Sequence, residues 1–114
     1  MPHFIIDCSE ELISQITPNQ IMQKVYDSAA STNLFDDGDI KVRINPYKYY
    51  NNGNTKHNFI HIFSNILEGR TASQKAHLSQ SIVRVLNLLF PSVPIISINI
   101  REFDKISYCN KFML

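Results

Sequence analysis

The pattern strand, helix, strand occurs twice along this chain, and both helices begin with the same motif. Thr17-Pro18-Asn19-Gln20 and Thr71-Ala72-Ser73-Gln74 each have a threonine followed three residues later by a glutamine, which is the pattern of a capping box. A strand-like run precedes each motif, and another follows each helix. The sequence therefore predicts two β-α-β units, at roughly residues 2–47 and 58–103, within a single domain spanning 1–114.

The predicted strands are apolar enough to form a buried sheet. Pro2 to Cys8, Asn58 to Phe63 and Ser92 to Phe103 are rich in isoleucine and phenylalanine, and residues 40–44 alternate apolar and basic side chains. Each crossover is long enough to join parallel strands, and right-handed crossovers place both helices on one face of the sheet. We therefore expect an α+β fold built from β-α-β repeats, with a four-stranded sheet and two helices on one face. Between the first predicted strand and the first long helix, residues 9–16 are expected to form a turn or a loose helical piece.

The other face of such a sheet has no helix to cover it. Charged residues make up only 18% of the chain, which is low for a small soluble monomer. An apolar sheet face must be covered, and no further element of the chain is left to do so. Another copy of the same chain is the expected cover, so the sequence predicts a homo-oligomer.

Composition argues against several classes of partner. The net charge is +1, so no overall field attracts nucleic acid or a membrane surface. The apolar stretches near residues 82–90 and 93–100 are too short or too interrupted to span a bilayer, and no signal peptide is expected. The two cysteines and four histidines lack the spacing of metal ligands, which predicts no metal site and reduced thiols in a cytoplasmic protein.

The Met1-Pro2 start gives this chain a candidate base. A small second residue such as proline normally allows the initiator methionine to be removed, which leaves Pro2 with a free secondary amine. Burial and nearby cations both disfavour the protonated amine and move its pKa toward neutrality, where it can act as a general base. The alternative is a proline that merely begins a strand.

Three cations are candidates for holding an anionic substrate. Lys41 and Arg43 alternate on one strand and so project to the same side. Arg70 directly precedes a predicted helix start, where free backbone N–H groups already favour an anion. For the strand pair the alternative is a solvated basic strand face or contacts at a subunit interface, and for Arg70 it is an ordinary surface arginine.

Several segments resemble the tautomerase superfamily, and most closely the 5-carboxymethyl-2-hydroxymuconate isomerase family. Residues 1–9, Met-Pro-His-Phe-Ile-Ile-Asp-Cys-Ser, are similar to the family's start. Residues 40–43, Ile-Lys-Val-Arg, lie where the family has an I-R-x-R strand, and residues 67–71, Leu-Glu-Gly-Arg-Thr, match its glycine-arginine turn. Lys41 replaces the first arginine of that strand, so this chain has a lysine ammonium, a point charge, where the family has a guanidinium that can form two parallel hydrogen bonds to a carboxylate. The similarity weakens after Phe103, and the role of the tail at 104–114 is left open.

The resemblance implies a fold, an assembly and a reaction. It implies a homotrimer with active sites near the subunit boundaries, Pro2 as the base, and Arg43, Arg70 and Lys41 as ligands of a small-molecule carboxylate. The implied reaction moves a proton within an unsaturated hydroxy or keto acid and requires no cofactor. A non-enzymatic trimer or binding module is the alternative from another class. A decarboxylase or dehalogenase that uses the same proline is a further alternative.

Overall fold

The computed structural model describes all 114 residues, and it shows a four-stranded sheet with its helices packed on one face. Across the sheet the strands lie in the order β2 (Lys41–Tyr47), β1 (His3–Ser9), β3 (Phe59–Leu67) and β4 (Ile95–Phe103). The outer pairs β1/β2 and β3/β4 are parallel, and the central pair β1/β3 is antiparallel. The predicted fold class is therefore confirmed. No helix has both the length and the apolar character needed to cross a membrane. The helices are α1 (Leu12–Gln15), α2 (Pro18–Ser31) and α3 (Ala72–Leu89), and a short 3₁₀ turn lies at Lys111–Met113.

Both long helices begin with the capping boxes that the sequence predicts. The Gln20 backbone N–H donates to the Thr17 hydroxyl at 3.3 Å, and the Thr17 N–H donates to the Gln20 side chain at 3.3 Å. The same two bonds measure 3.1 and 2.9 Å between Gln74 and Thr71. Each cap satisfies backbone donors that a helix start leaves free, which contributes about 1 kcal/mol.

The core lies between the sheet and the helices α2 and α3. Alternate residues of β1 and β3 point into it, and one face of each helix packs against them. Burying an aliphatic or aromatic side chain of this kind stabilises the fold by roughly 1.5–3 kcal/mol. The members with no exposed surface are Phe4, Ile6, Val25, Ala29, Ile62, Leu78, Ile82 and Leu86.

Two strands are longer than the sequence indicates. β2 continues past Ile44 to Tyr47, and β3 continues past Phe63 to Leu67. Ser64 is polar and follows the predicted strand at residues 58–63, but it is fully buried on the helix face and pairs with Phe4 in the ladder. The inter-strand hydrogen bonds therefore outweigh the local polarity of this segment. β4 begins at Ile95 instead of Ser92, since residues 91–92 form a turn.

The face opposite the helices is left uncovered in a single chain. We call it the uncovered face; it carries the side chains that alternate with the buried ones, such as Ile5, Asp7, His61 and Phe63. Phe63 retains 40% of its accessible surface. The face is more polar than expected, because the His61 ring is hydrogen-bonded to the Ser97 hydroxyl and the Asn99 side chain, both at 2.7 Å.

Candidate functional site

The topology gathers the candidate residues at one end of the sheet. β1 and β2 start there, while β3 and β4 end there, because β1 and β3 are antiparallel. The register places Lys41 beside His3, His3 beside Asn65, and Asn65 beside Arg101. We call this edge the Pro2 end of the sheet, since Pro2 precedes the first paired residue of β1.

Pro2 is held rigidly at this end. Its ring is less than 2% exposed, and its carbonyl accepts a hydrogen bond from the Lys41 N–H at 3.0 Å. With Met1 attached, the Pro2 nitrogen is part of a tertiary amide and has no basic lone pair. Removal of Met1 would leave a secondary amine on a buried ring, and burial lowers the pKa of such a group.

Lys41 is positioned by the turn that precedes β2. Its ammonium donates to the carbonyls of Gly38 at 2.9 Å and Asp39 at 3.1 Å. The positive φ of Gly38 (85°) is a backbone conformation that favours glycine. Lys41 therefore stabilises this turn, with one further N–H available to a ligand.

Arg43 lies on the uncovered face beside His3. The two side chains meet at 3.3 Å between the guanidinium Nη1 and the imidazole Nδ1. Burial, followed by the charge of Arg43, lowers the pKa of His3 below 6.5, so the neutral ring can accept a hydrogen bond from the guanidinium. A cavity of about 310 Å³ opens here, lined by His3, Arg43, Asn65, Phe103 and Tyr108.

Arg70 lies in the turn between β3 and α3 and contacts a different set of groups. Its Nη2 donates to the Leu34 carbonyl at 2.7 Å, and its Nη1 donates to the Leu67 carbonyl at 3.3 Å. The guanidinium lies 5.0 Å from the centre of the Phe35 ring, which in turn packs edge-on against Phe4. Arg70 thus joins the loop before β2 to the end of β3, and its remaining N–H groups are available to an anion.

Arg43 and Arg70 do not line the same cavity within one protomer. Arg70 lines a separate cavity of about 380 Å³, together with Leu34, Glu68 and Lys105 among others. Phe4 and His3 are adjacent in β1, so their side chains lie on opposite faces of the sheet. Phe4 packs on the face nearer Arg70, and His3 lines the Arg43 cavity. The two arginines therefore line separate cavities near the start of β1, and Pro2 lines neither of them.

The arginines at the Pro2 end have no acidic partners. The single ion pair of the chain joins Lys75 to Glu102 at 2.9 Å. Arg43, Arg70 and Arg101 therefore form no ion pair with a carboxylate of the chain, and unpaired guanidinium groups bind carboxylates by charge-assisted hydrogen bonds.

Sequence reasoning missed several residues of the Arg43 cavity. His3 and Asn65 face it through strand register, which a one-dimensional pattern does not reveal when the antiparallel pairing is unknown. Tyr108 lies in the tail and carries no periodic signal. The only sequence signal that could have found His3 is the alternation of side chains between the two faces of a strand, which places His3 on the face of β1 opposite to Phe4.

Comparison with known proteins identifies the family. A model of the 5-carboxymethyl-2-hydroxymuconate isomerase family matches residues 2–110. The chain belongs to this family. Membership supports an isomerase or tautomerase type of activity. No curated protein sequence matches the chain at a significant level.

Several solved structures share the fold. A 5-carboxymethyl-2-hydroxymuconate isomerase from Deinococcus radiodurans R1 is 21% identical, with a TM-score of 0.81 over 96% of this chain and 88% of that one. Pt0534, in a structure inactivated by 2-oxo-3-pentynoate, is 15% identical, with a TM-score of 0.83 over 96% and 91%. A fused 4-OT described as a symmetric trimer is 12% identical, with a TM-score of 0.78 over 98% and 95%. At these identities the likeness concerns the fold.

Proposed function

We propose that this protein is a cofactor-independent isomerase of unsaturated hydroxy or keto carboxylic acids similar to 5-carboxymethyl-2-hydroxymuconate, with Pro2 as the base. The observation that carries the proposal is the placement of unpaired Arg43 and Arg70 on either side of the strand start that bears Pro2. Anionic substrates are attracted to this end of the sheet, and a buried secondary amine is available there once Met1 is removed.

The proposed proton transfer needs only the amine and the conjugation of the substrate. The free amine of Pro2 takes the proton of the enol hydroxyl, and the O–H electron pair becomes the π bond of the new carbonyl. The conjugated double bonds shift along the chain, and a distant carbon takes the proton back from the pyrrolidinium nitrogen. General-base catalysis of this kind typically contributes about 10²–10⁴-fold.

The cations act in this scheme as carboxylate ligands and as pKa-lowering neighbours. Arg43 presents its guanidinium to an open cavity, whereas Arg70 and Lys41 contribute the N–H groups left over from their backbone contacts. Positive charge near Pro2 disfavours its protonated form, which lowers the pKa of the amine and keeps it unprotonated near neutral pH. The partner is thus a small-molecule carboxylate.

We also propose a homotrimer in which the uncovered faces surround a common axis. The exposed Phe63 and the absence of any element over this face support self-association, as does the trimeric fused 4-OT that shares the fold. Sedimentation should give about three times the 13.2 kDa mass of the chain. A stable monomer at micromolar concentration would contradict this assembly.

The inhibitor 2-oxo-3-pentynoate, which inactivates Pt0534, offers a direct test of the Pro2 amine. The nitrogen would add to the distant alkyne carbon and form an N–C bond as one alkyne π bond breaks. The N–H proton would move to the alkyne carbon beside the ketone. We expect a mass gain of one whole inhibitor molecule, located on Pro2 by peptide mapping, and loss of isomerase activity. Labelling elsewhere with activity retained would overturn the proposal.

A panel of substrates separates the alternatives. Conversion of conjugated enols supports the isomerase, whereas release of CO₂ or halide with no enol conversion would assign the Pro2 amine to another reaction. A processed protein that binds carboxylates but converts none of these compounds would be a binding module.

A further inference from the structure

We propose that Tyr108 is a specificity-determining residue: with Phe103 it forms an aromatic wall of the Arg43 cavity that selects flat, conjugated carboxylates over flexible ones. This inference rests on the proposed function, because it specifies which carboxylates the cavity accepts. It assigns a role to the tail, which the sequence left open.

Tyr108 is held in place by the tail around it. The Lys105 N–H donates to the Glu68 carboxylate at 2.8 Å, which attaches the tail to the turn after β3. The Tyr108 N–H donates to the Asp104 carbonyl at 3.2 Å, and the Asn110 side chain donates to the Tyr108 hydroxyl at 3.4 Å. Tyr108 is half-buried, although Ile106 and most of the surrounding tail are exposed. The tail is thus folded so that this one ring reaches the sheet.

The ring of Tyr108 stacks on that of Phe103. Their centroids lie 5.1 Å apart with an interplanar angle of 27°, and both residues line the Arg43 cavity. Neither ring belongs to the hydrophobic core between the sheet and the helices. The pair therefore shapes the cavity and does not fill the interior of the fold.

The remaining walls of the cavity suit a carboxylate. Arg43 supplies a cation without an acidic partner, while His3 and Asn65 supply polar groups, and no acidic residue lines the space. An anion bound at Arg43 would extend along the aromatic wall. A planar conjugated chain can stack on this wall across its full width, whereas a saturated chain contacts it only edgewise.

Calorimetric titration of the full-length protein with two inert dicarboxylates tests the inference. Muconate is flat and conjugated, and adipate has the same carbon count but is saturated and flexible. The wild type should bind muconate more tightly, and Tyr108→Ala should weaken muconate binding about three- to tenfold, the effect of one lost aromatic contact, with little change for adipate. Tyr108→Phe should retain the preference.

Two controls isolate the ring of Tyr108. Tyr49→Ala removes a tyrosine that is 83% exposed in the loop after β2, and it should change neither affinity. Arg43→Ala should weaken both dicarboxylates by similar factors, because it removes the charge that they share. If Tyr108→Ala does not fold, Tyr108→Leu tests the same point, since it keeps an apolar side chain and removes the ring.

An unchanged muconate-to-adipate ratio in Tyr108→Ala or Tyr108→Leu would overturn the inference, as would a wild type that binds neither compound. These ligands have no enol and undergo no turnover, so their binding does not depend on Pro2 acting as a base. A protein with the expected ratio change but no isomerase activity would reject the proposed function and leave the role of Tyr108 standing.

Discussion

Replacing Arg70 with alanine should destabilise the fold in addition to weakening substrate binding. The Arg70 guanidinium donates to the carbonyls of Leu34 and Leu67, which lie on two different segments, and it covers the ring of Phe35. The variant would lose all three contacts at once. Both carbonyls would then depend on water, and the loop before β2 would lose its link to the end of β3.

The expected size of this effect follows from the contacts. A hydrogen bond to a charged group contributes about 1.5–3 kcal/mol, and the lower end applies here because Arg70 is only half-buried and one bond is long at 3.3 Å. A partly exposed cation–π contact adds about 0.5–1 kcal/mol. After allowance for hydration of the freed carbonyls, we expect a loss of about 2 kcal/mol, equivalent to a fall in Tm of roughly 6–10 °C for a chain of this size.

Urea unfolding at a fixed protein concentration measures this loss, because the stability of an oligomer depends on concentration. Arg70→Lys keeps the charge, but a single ammonium lacks the planar fork that spans two carbonyls, so we expect it to recover less than half of the lost stability. Arg84→Ala is the matched control, since Arg84 is exposed on α3 and should change stability by no more than about 0.5 kcal/mol. An Arg70→Ala variant as stable as this control would refute the reasoning.

Two further predictions concern titratable groups on β1. Burial and the nearby Arg43 lower the pKa of His3 below 6.5, so the unfolded chain binds this proton more readily than the folded one. The contribution of His3 to the free energy of unfolding should therefore be fully present above about pH 6.5 and be lost as the pH falls below that value. The urea midpoint of His3→Asn should accordingly decrease less with falling pH than that of the wild type; an equal decrease in both proteins would contradict this. Burial and then Asp7 raise the pKa of Cys8 to about 11, whereas Cys109 is exposed. DTNB should therefore titrate one fast thiol in the native protein, lost in Cys109→Ser; two fast thiols would show that β1 is not packed as described.

The order of elements and the fold class could be predicted because their causes are local in sequence. The two capping boxes depend on residues three positions apart, and the apolar alternation of β1 directly marks its buried face. The ends of the strands were harder to predict from the sequence. Ser64 is polar yet continues β3 into the core, because pairing across the ladder outweighs its own preference.

The details of the candidate site could not be predicted because they depend on contacts between distant segments. Arg70 was expected only to bind an anion, whereas its nearest carbonyl partner, Leu34, lies 36 positions away. Lys41 donates to its own preceding turn, a conformation that strand alternation does not predict. Tyr108 reaches the Arg43 cavity through the path of the tail, for which the sequence has no periodic pattern.

The role of Pro2 as the base is tested most directly by comparing the processed protein with a form that retains Met1, both verified by intact mass. Retention of Met1 converts the Pro2 nitrogen into a tertiary amide without changing any other side chain. The processed form should isomerise a conjugated enol with a rate that rises with pH through one deprotonation near neutrality, and the Met1 form should be slower by about 10²–10⁴-fold. Equal rates for the two forms would contradict the proposal that Pro2 is the base.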